Sequence, residues 1–151
     1  MTWWLLLEKI HGHLALLATA VCLHPWFALR TARRPSRATR LSGYAGTALV
    51  VATSALGWII YPPYRELVKL ELYAQARPVG VLFEVKEHLA WYALALAVAG
   101  GVCMALSGGE AGPRLRPAIR ASYTAAAVLL LACGVMGVYI ASVNGFDDML
   151  P

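Results

Sequence analysis

Glu8, Lys9, His11 and His13 crowd the start of one long apolar run, and Glu84, Lys86, Glu87 and His88 crowd the start of another. Counted from the far ends of those runs, at Leu29 and Leu106, His11 and His88 each lie eighteen residues away. At ~1.5 Å of helix rise per residue, the two imidazoles then share one depth. Two histidines at one depth on different helices match what a bis-histidine haem b requires, each ring supplying one axial nitrogen to iron. His11 and His88 are therefore the candidate metal ligands. His13 flanks them, and Met136 is a substitute axial ligand. Lys9, Lys86 or Arg65 would pair with the propionates, and Trp91 and Tyr92 would pack on the macrocycle.

Other metal chemistries fit less well. Glu8-x-x-His11 has the spacing of a di-iron ligand pair, but such sites need several carboxylates converging in a bundle. Glu84 and Glu87 are expected at the aqueous rim. Cys22, Cys103 and Cys133 are scattered through apolar runs, with neither a Cys-x-x-Cys pair nor a haem-attachment motif, and read as small buried hydrophobes. His24, beside Pro25, reads as an interfacial histidine. No Ser-His-Asp set, His-Glu-x-x-His or Gly-rich nucleotide motif is present. An electron-transfer or accessory subunit is expected rather than a self-contained enzyme.

The elements that must hold these residues follow from composition. The chain has 151 residues, 60% of them hydrophobic and only 14% charged, with a mean hydropathy of +0.61. So little polar surface cannot cover a water-soluble fold of this size. Four runs reach the ~20 residues a helix needs to cross the hydrocarbon core, and they are continuous rather than alternating, which selects helices over a β-barrel. The expectation is an all-α, integral membrane four-helix bundle forming one domain over 1–151, with helices near 3–29, 42–61, 84–106 and 121–143. Trp3-Trp4 with no basic stretch ahead reads as the start of the first helix, not as a cleavable leader. Tyr61-Pro-Pro-Tyr64 reads as the stop of the second. The connector 62–83 is expected outside, with a short interfacial helix where Leu67, Val68, Leu70, Leu72 and Tyr73 alternate with charges.

The net charge of +5 is explained by topology rather than by nucleic acid. Residues 30–40 hold five arginines and no acid, and 107–120 add Arg114, Arg116 and Arg120 against Glu110 alone. The positive-inside rule puts both connectors in the cytoplasm and both termini outside, as expected in a bacterial cytoplasmic membrane. On a helical wheel at ~100° per residue, Glu8, His11, Ala15, Ala18 and Cys22 share one stripe, nearly opposite His13, Leu17, Ala20 and His24. The first stripe is rich in small residues and should face the bundle. Gly43, Gly46, Thr47, Val50, Ser54 and Gly57 form a similar packing stripe on helix 2.

In topology the plan resembles small four-helix membrane cytochromes. The depth-matched histidines, rather than that likeness, carry the expectation of one haem b near the outer leaflet, relaying electrons between a membrane or quinone partner and an outer-side redox protein. The alternative is a non-catalytic accessory subunit of a larger membrane complex, with a His/Glu polar network and no haem.

Overall fold

The computed structural model describes residues 3–109 and 111–143; Glu110, Asp147 and Asp148, with the C-terminal tail, lie outside the described residues. The elements are α1 (Trp3–Ala28), α2 (Arg37–Tyr64), a π-helical turn (Arg65–Lys69), α3 (Leu70–Gln75), α4 (Arg77–Leu106) and α5 (Ala111–Val143). No strand occurs among the described residues. Four helical segments are long and apolar enough to cross a bilayer, and they mark the chain as an integral membrane protein.

The long helices form a ring in which α1 packs on α2 and α5, and α4 on α2 and α5. Each helix is apolar on both sides. Leu17, Val51, Val102, Val128 and Val138 are exposed on the rim, as a lipid-facing surface requires. Inside, close approach depends on small residues. Gly46 backs onto Cys22, and Gly57 onto His11, so closely that a Cβ would stand only 3.1 Å and 3.0 Å from them, inside ordinary van der Waals contact. The expected inward stripe of α1 is borne out, since Ala18 and Cys22 are fully buried and His13, Leu17 and His24 are exposed.

Tyr123 of α5 crosses the middle of the ring. Its hydroxyl donates to the carbonyl of Gly43 on α2 at 2.7 Å and lies 3.0 Å from the Thr47 hydroxyl, which donates to the Ala97 carbonyl on α4 at 2.9 Å. Gly100 makes room for the ring, because a Cβ there would come within 3.0 Å of it.

At the arginine-bearing end, two guanidiniums satisfy carbonyls that a finished helix leaves open. Arg40, near the start of α2, donates to the carbonyls of Met104 (3.1 Å) and Ser107 (2.7 Å) at the end of α4. Arg116, near the start of α5, donates to those of Leu29 (2.8 Å) and Arg30 (2.7 Å) beyond α1. Ser36 caps α2 by accepting from the Thr39 amide at 3.1 Å. Gly109 turns the chain into α5 with a positive φ of 51°.

The opposite end departs from expectation. Pro62 and Pro63 do not stop helix 2; they lie inside it, and the helical path runs on through the π turn and α3, so the helical span reaches Ala74. The fourth residue of each step explains why. Ile60, Tyr64, Val68 and Leu72 are all buried, packed with Leu7, Val79, Phe83 and Ile140 in a second core cluster. Two interior prolines cost about 6 kcal/mol together, and burying four such side chains returns roughly 1.5–3 kcal/mol each. A four-residue step drifts ~40° per turn on an α-helix, and the wider π turn takes up that drift. The arm of 38 residues is ~57 Å long, far beyond a hydrocarbon core of ~30 Å. The last stretch of the arm and the start of α4, which begins at Arg77 rather than near 84, therefore form a helical hairpin across the expected connector 62–83, with α3 as its short helical piece.

Candidate functional site

The hairpin end gathers the ionisable residues. On α4, Phe83 is buried and stacks on Tyr64 with ring centroids 5.1 Å apart. Two ammonium groups sit by the same ring, Lys69 Nζ at 5.3 Å and Lys86 Nζ at 5.2 Å from its centroid, both within cation–π range. Lys69, presented by the π turn, bridges Glu84 at 3.4 Å and Glu87 at 3.3 Å, so this turn is tied to α4 twice. Gly80 lets the Tyr73 ring of α3 lie against the α4 backbone, at a spacing no Cβ would allow.

Lys86 enters the bundle itself. Its Nζ is 3.7 Å from where a Cβ on Gly137 of α5 would stand, and the Cys133 thiol of α5 donates to its backbone carbonyl at 3.6 Å. Glu8, Glu87 and His11 lie within its electrostatic reach. On α1, His11 is half-buried and its Nδ1–H donates to the Thr53 carbonyl of α2 at 3.0 Å, leaving Nε2 with its lone pair. Met136 is partly buried beside the second core cluster. Lys86, His11, Glu8 and Met136 thus belong to the interior end of the bundle.

The remaining expected site residues do not join them. His88 is exposed and its Nδ1–H donates to the Glu84 carbonyl of its own helix at 2.7 Å. His13 is also exposed, donating to the Lys9 carbonyl at 2.7 Å, and Lys9 is exposed beside it. Trp91 and Tyr92 face outward at 53% and 61% exposure, with Trp91 edge-on to Trp58 of α2 at 5.8 Å. Arg65 is exposed as well.

The imidazoles of His11 and His88 therefore do not face one another across the bundle. Equal depth is not enough to make two side chains meet, because azimuth also decides. His88 is ~180° around α4 from the fully buried Ala97, whereas Lys86 is only ~20° from it. Lys86 is the interior residue that depth alone assigned to the rim. Its signal lay in the wheel shared with Ala93, Ala97, Gly100 and Met104, all buried.

Among the described residues, no group of three or more His, Cys, Asp or Glu side chains is placed to hold a metal ion. What the arrangement does chemically is compensate charge. Lys69 and Lys86 each have carboxylates and an aromatic face near them, and His11, His13 and His88 each donate to a backbone carbonyl.

Fold and site together define a class: a four-helix membrane protein with a compensated polar cluster at the hairpin end. No protein-family model matches the chain, and no curated protein or solved structure is significantly similar to it.

Proposed function

We propose that this chain is a non-catalytic accessory subunit of a larger membrane complex, in which the Glu8/His11/Lys86 cluster is a structural polar network. The observation that carries this reading is the outward placement of His13 and His88, with Lys9 and Glu84 exposed one turn away, on the outer faces of α1 and α4. Polar side chains on a face turned to lipid are costly, and neighbouring subunits remove that cost by covering them. Purified from its own membranes in mild detergent, the chain is expected to migrate with an assembly well above its own 16.3 kDa. His13→Ala combined with His88→Ala is expected to release it as a folded bundle, with no Soret band in either form. A Soret band that disappears in both His11→Ala and His88→Ala would replace this reading. The chain would then be a b-type electron-transfer subunit, its haem relaying electrons between a quinone or other membrane partner and an outer-side redox protein.

The orientation we propose puts the arginine-bearing end in the cytoplasm of a bacterial cell and the hairpin end, with both termini, outside. In a background with Cys22, Cys103 and Cys133 replaced by alanine, an impermeant thiol reagent added to intact cells should label Glu66→Cys and spare Ser36→Cys. The opposite pattern overturns the orientation.

A further inference from the structure

Between α1 and α5, at the arginine-bearing end, a groove of about 640 Å³ opens sideways toward the lipid. Trp26 forms one wall, and Pro117, Arg120, Ala125, Val128 and Leu129 of α5 form the other. Its chemistry changes along its length. Arg120 lies at the mouth, and its Nε is buried with no hydrogen-bond partner. Eight residues further along α5, ~12 Å deeper, Val128 is 58% exposed and the lining is purely apolar. Arg30 stacks its guanidinium over the Trp26 ring at 5.2 Å, adding a second cation beside the mouth.

Arg120 is the charged residue of the lining and its buried Nε–H has no acceptor within the chain, so an anion entering the groove would be both counter-charge to the guanidinium and acceptor for its outer N–H groups. The surroundings say which charge that acceptor carries. Residues 30–40 and 114–120 hold eight arginines and no acid. Two of the eight, Arg40 and Arg116, are engaged with helix-end carbonyls. Arg30, Arg33, Arg34, Arg37 and Arg114 are exposed around the groove end of the bundle. An anion at headgroup level continuous with an apolar slot has the two-part chemistry of a phospholipid. We propose that this groove is a binding site for an anionic phospholipid, the phosphodiester accepting from Arg120 and one acyl chain lying along Ala125 and Val128. Basic pockets between membrane helices take anionic headgroups in this way, and the phosphate–guanidinium pair is strengthened by its charge.

The test uses the full chain, purified in detergent, stripped of lipid and titrated with phosphatidylglycerol or with phosphatidylcholine of the same acyl chains, bound lipid being counted by native mass spectrometry. Phosphatidylglycerol is expected to bind at one saturable site, tens-fold more tightly than phosphatidylcholine. Arg120→Gln should remove most of that preference, because it deletes both the charge and the buried donor. Arg33→Gln, which deletes a surface charge only, should cost no more than about five-fold. Val128→Trp should block binding by filling the slot, whereas Val135→Trp, on an exposed turn outside the groove, should not. Equal binding of the two lipids overturns the site, as does an Arg33→Gln loss matching that of Arg120→Gln, which would describe a diffuse charged belt. Displacement of the lipid by soluble glycerophosphate at equal concentration would overturn it too, since the acyl slot would then contribute nothing.

Discussion

Tyr123→Ala is expected to lower the stability of the bundle by about 3–5 kcal/mol, the usual cost of truncating a buried aromatic to alanine. The ring is fully buried where α2, α4 and α5 meet. Lipid offers no hydrophobic drive to hold the helices together, so van der Waals contact across this ring carries much of their association. The hydroxyl is a smaller matter. Its bond to the Gly43 carbonyl lies in a setting where interhelical hydrogen bonds average about 0.6 kcal/mol. Tyr123→Phe should therefore cost no more than about 1 kcal/mol. Unfolding in mixed micelles, followed by circular dichroism or by a steric-trap assay, separates the two. A phenylalanine variant as unstable as the alanine variant would mean that the hydroxyl, not the ring, holds the three helices.

The second large effect is expected at Lys86. If the polar cluster is structural, its cation is there to balance Glu8 and Glu87 inside a low-dielectric bundle. Reversing it with Lys86→Glu puts a third carboxylate among them and should cost about 3–5 kcal/mol, the scale of an uncompensated buried charge. Lys86→Met is a different experiment. It removes the charge but keeps the length and apolar stem, and withdrawing one partner from a compensated buried cluster is itself destabilising. The methionine variant should therefore be less stable than the native chain but more stable than the glutamate variant, because it adds no third carboxylate and retains packing against Phe83 and the Gly137 side of α5. If Lys86→Met is as stable as the native chain, no carboxylate depends on this cation, and the reading of the cluster as charge compensation has to be abandoned.

Membrane class and helix number were legible from composition, because a chain this apolar has no other way to satisfy its backbone. The inward faces of α1 and α2 were legible too. Small residues at helical spacing, Ala18 and Cys22 against Gly46, are a direct imprint of close packing. Two features escaped. The first was the extent of helix 2. Proline is a local signal, and the long-range burial of Tyr64, Val68 and Leu72 against α1 and α4 outweighs it. Those contacts involve residues up to seventy positions away, which no local window sees. The second was the partner of His11. Charge and depth pointed to His88, and only the wheel of α4 shows that Lys86, two residues earlier, is the one that turns inward. The rim aromatics Trp91 and Tyr92 face outward on the same wheel, where an amphipathic ring suits lipid as well as it suits a cofactor.

The two arginine staples bear on how the protein is made. Arg40 waits for carbonyls 67 residues further on, and Arg116 reaches back 86 and 87 residues to close on the end of α1. At translation rates of roughly 5–20 residues per second, the first guanidinium is synthesised about 3–13 s before its acceptors exist. Until then it must be solvated by water or headgroups at the membrane surface. The first two helices can be threaded into the bilayer as a hairpin, but the Arg40 staple must wait for the end of α4 and the Arg116 staple for α5, the last to arrive. The same side chains that hold their connectors on one side of the membrane during insertion are afterwards used to fasten the ring, so biogenesis of this protein ends in a closing step rather than in a helix-by-helix accretion.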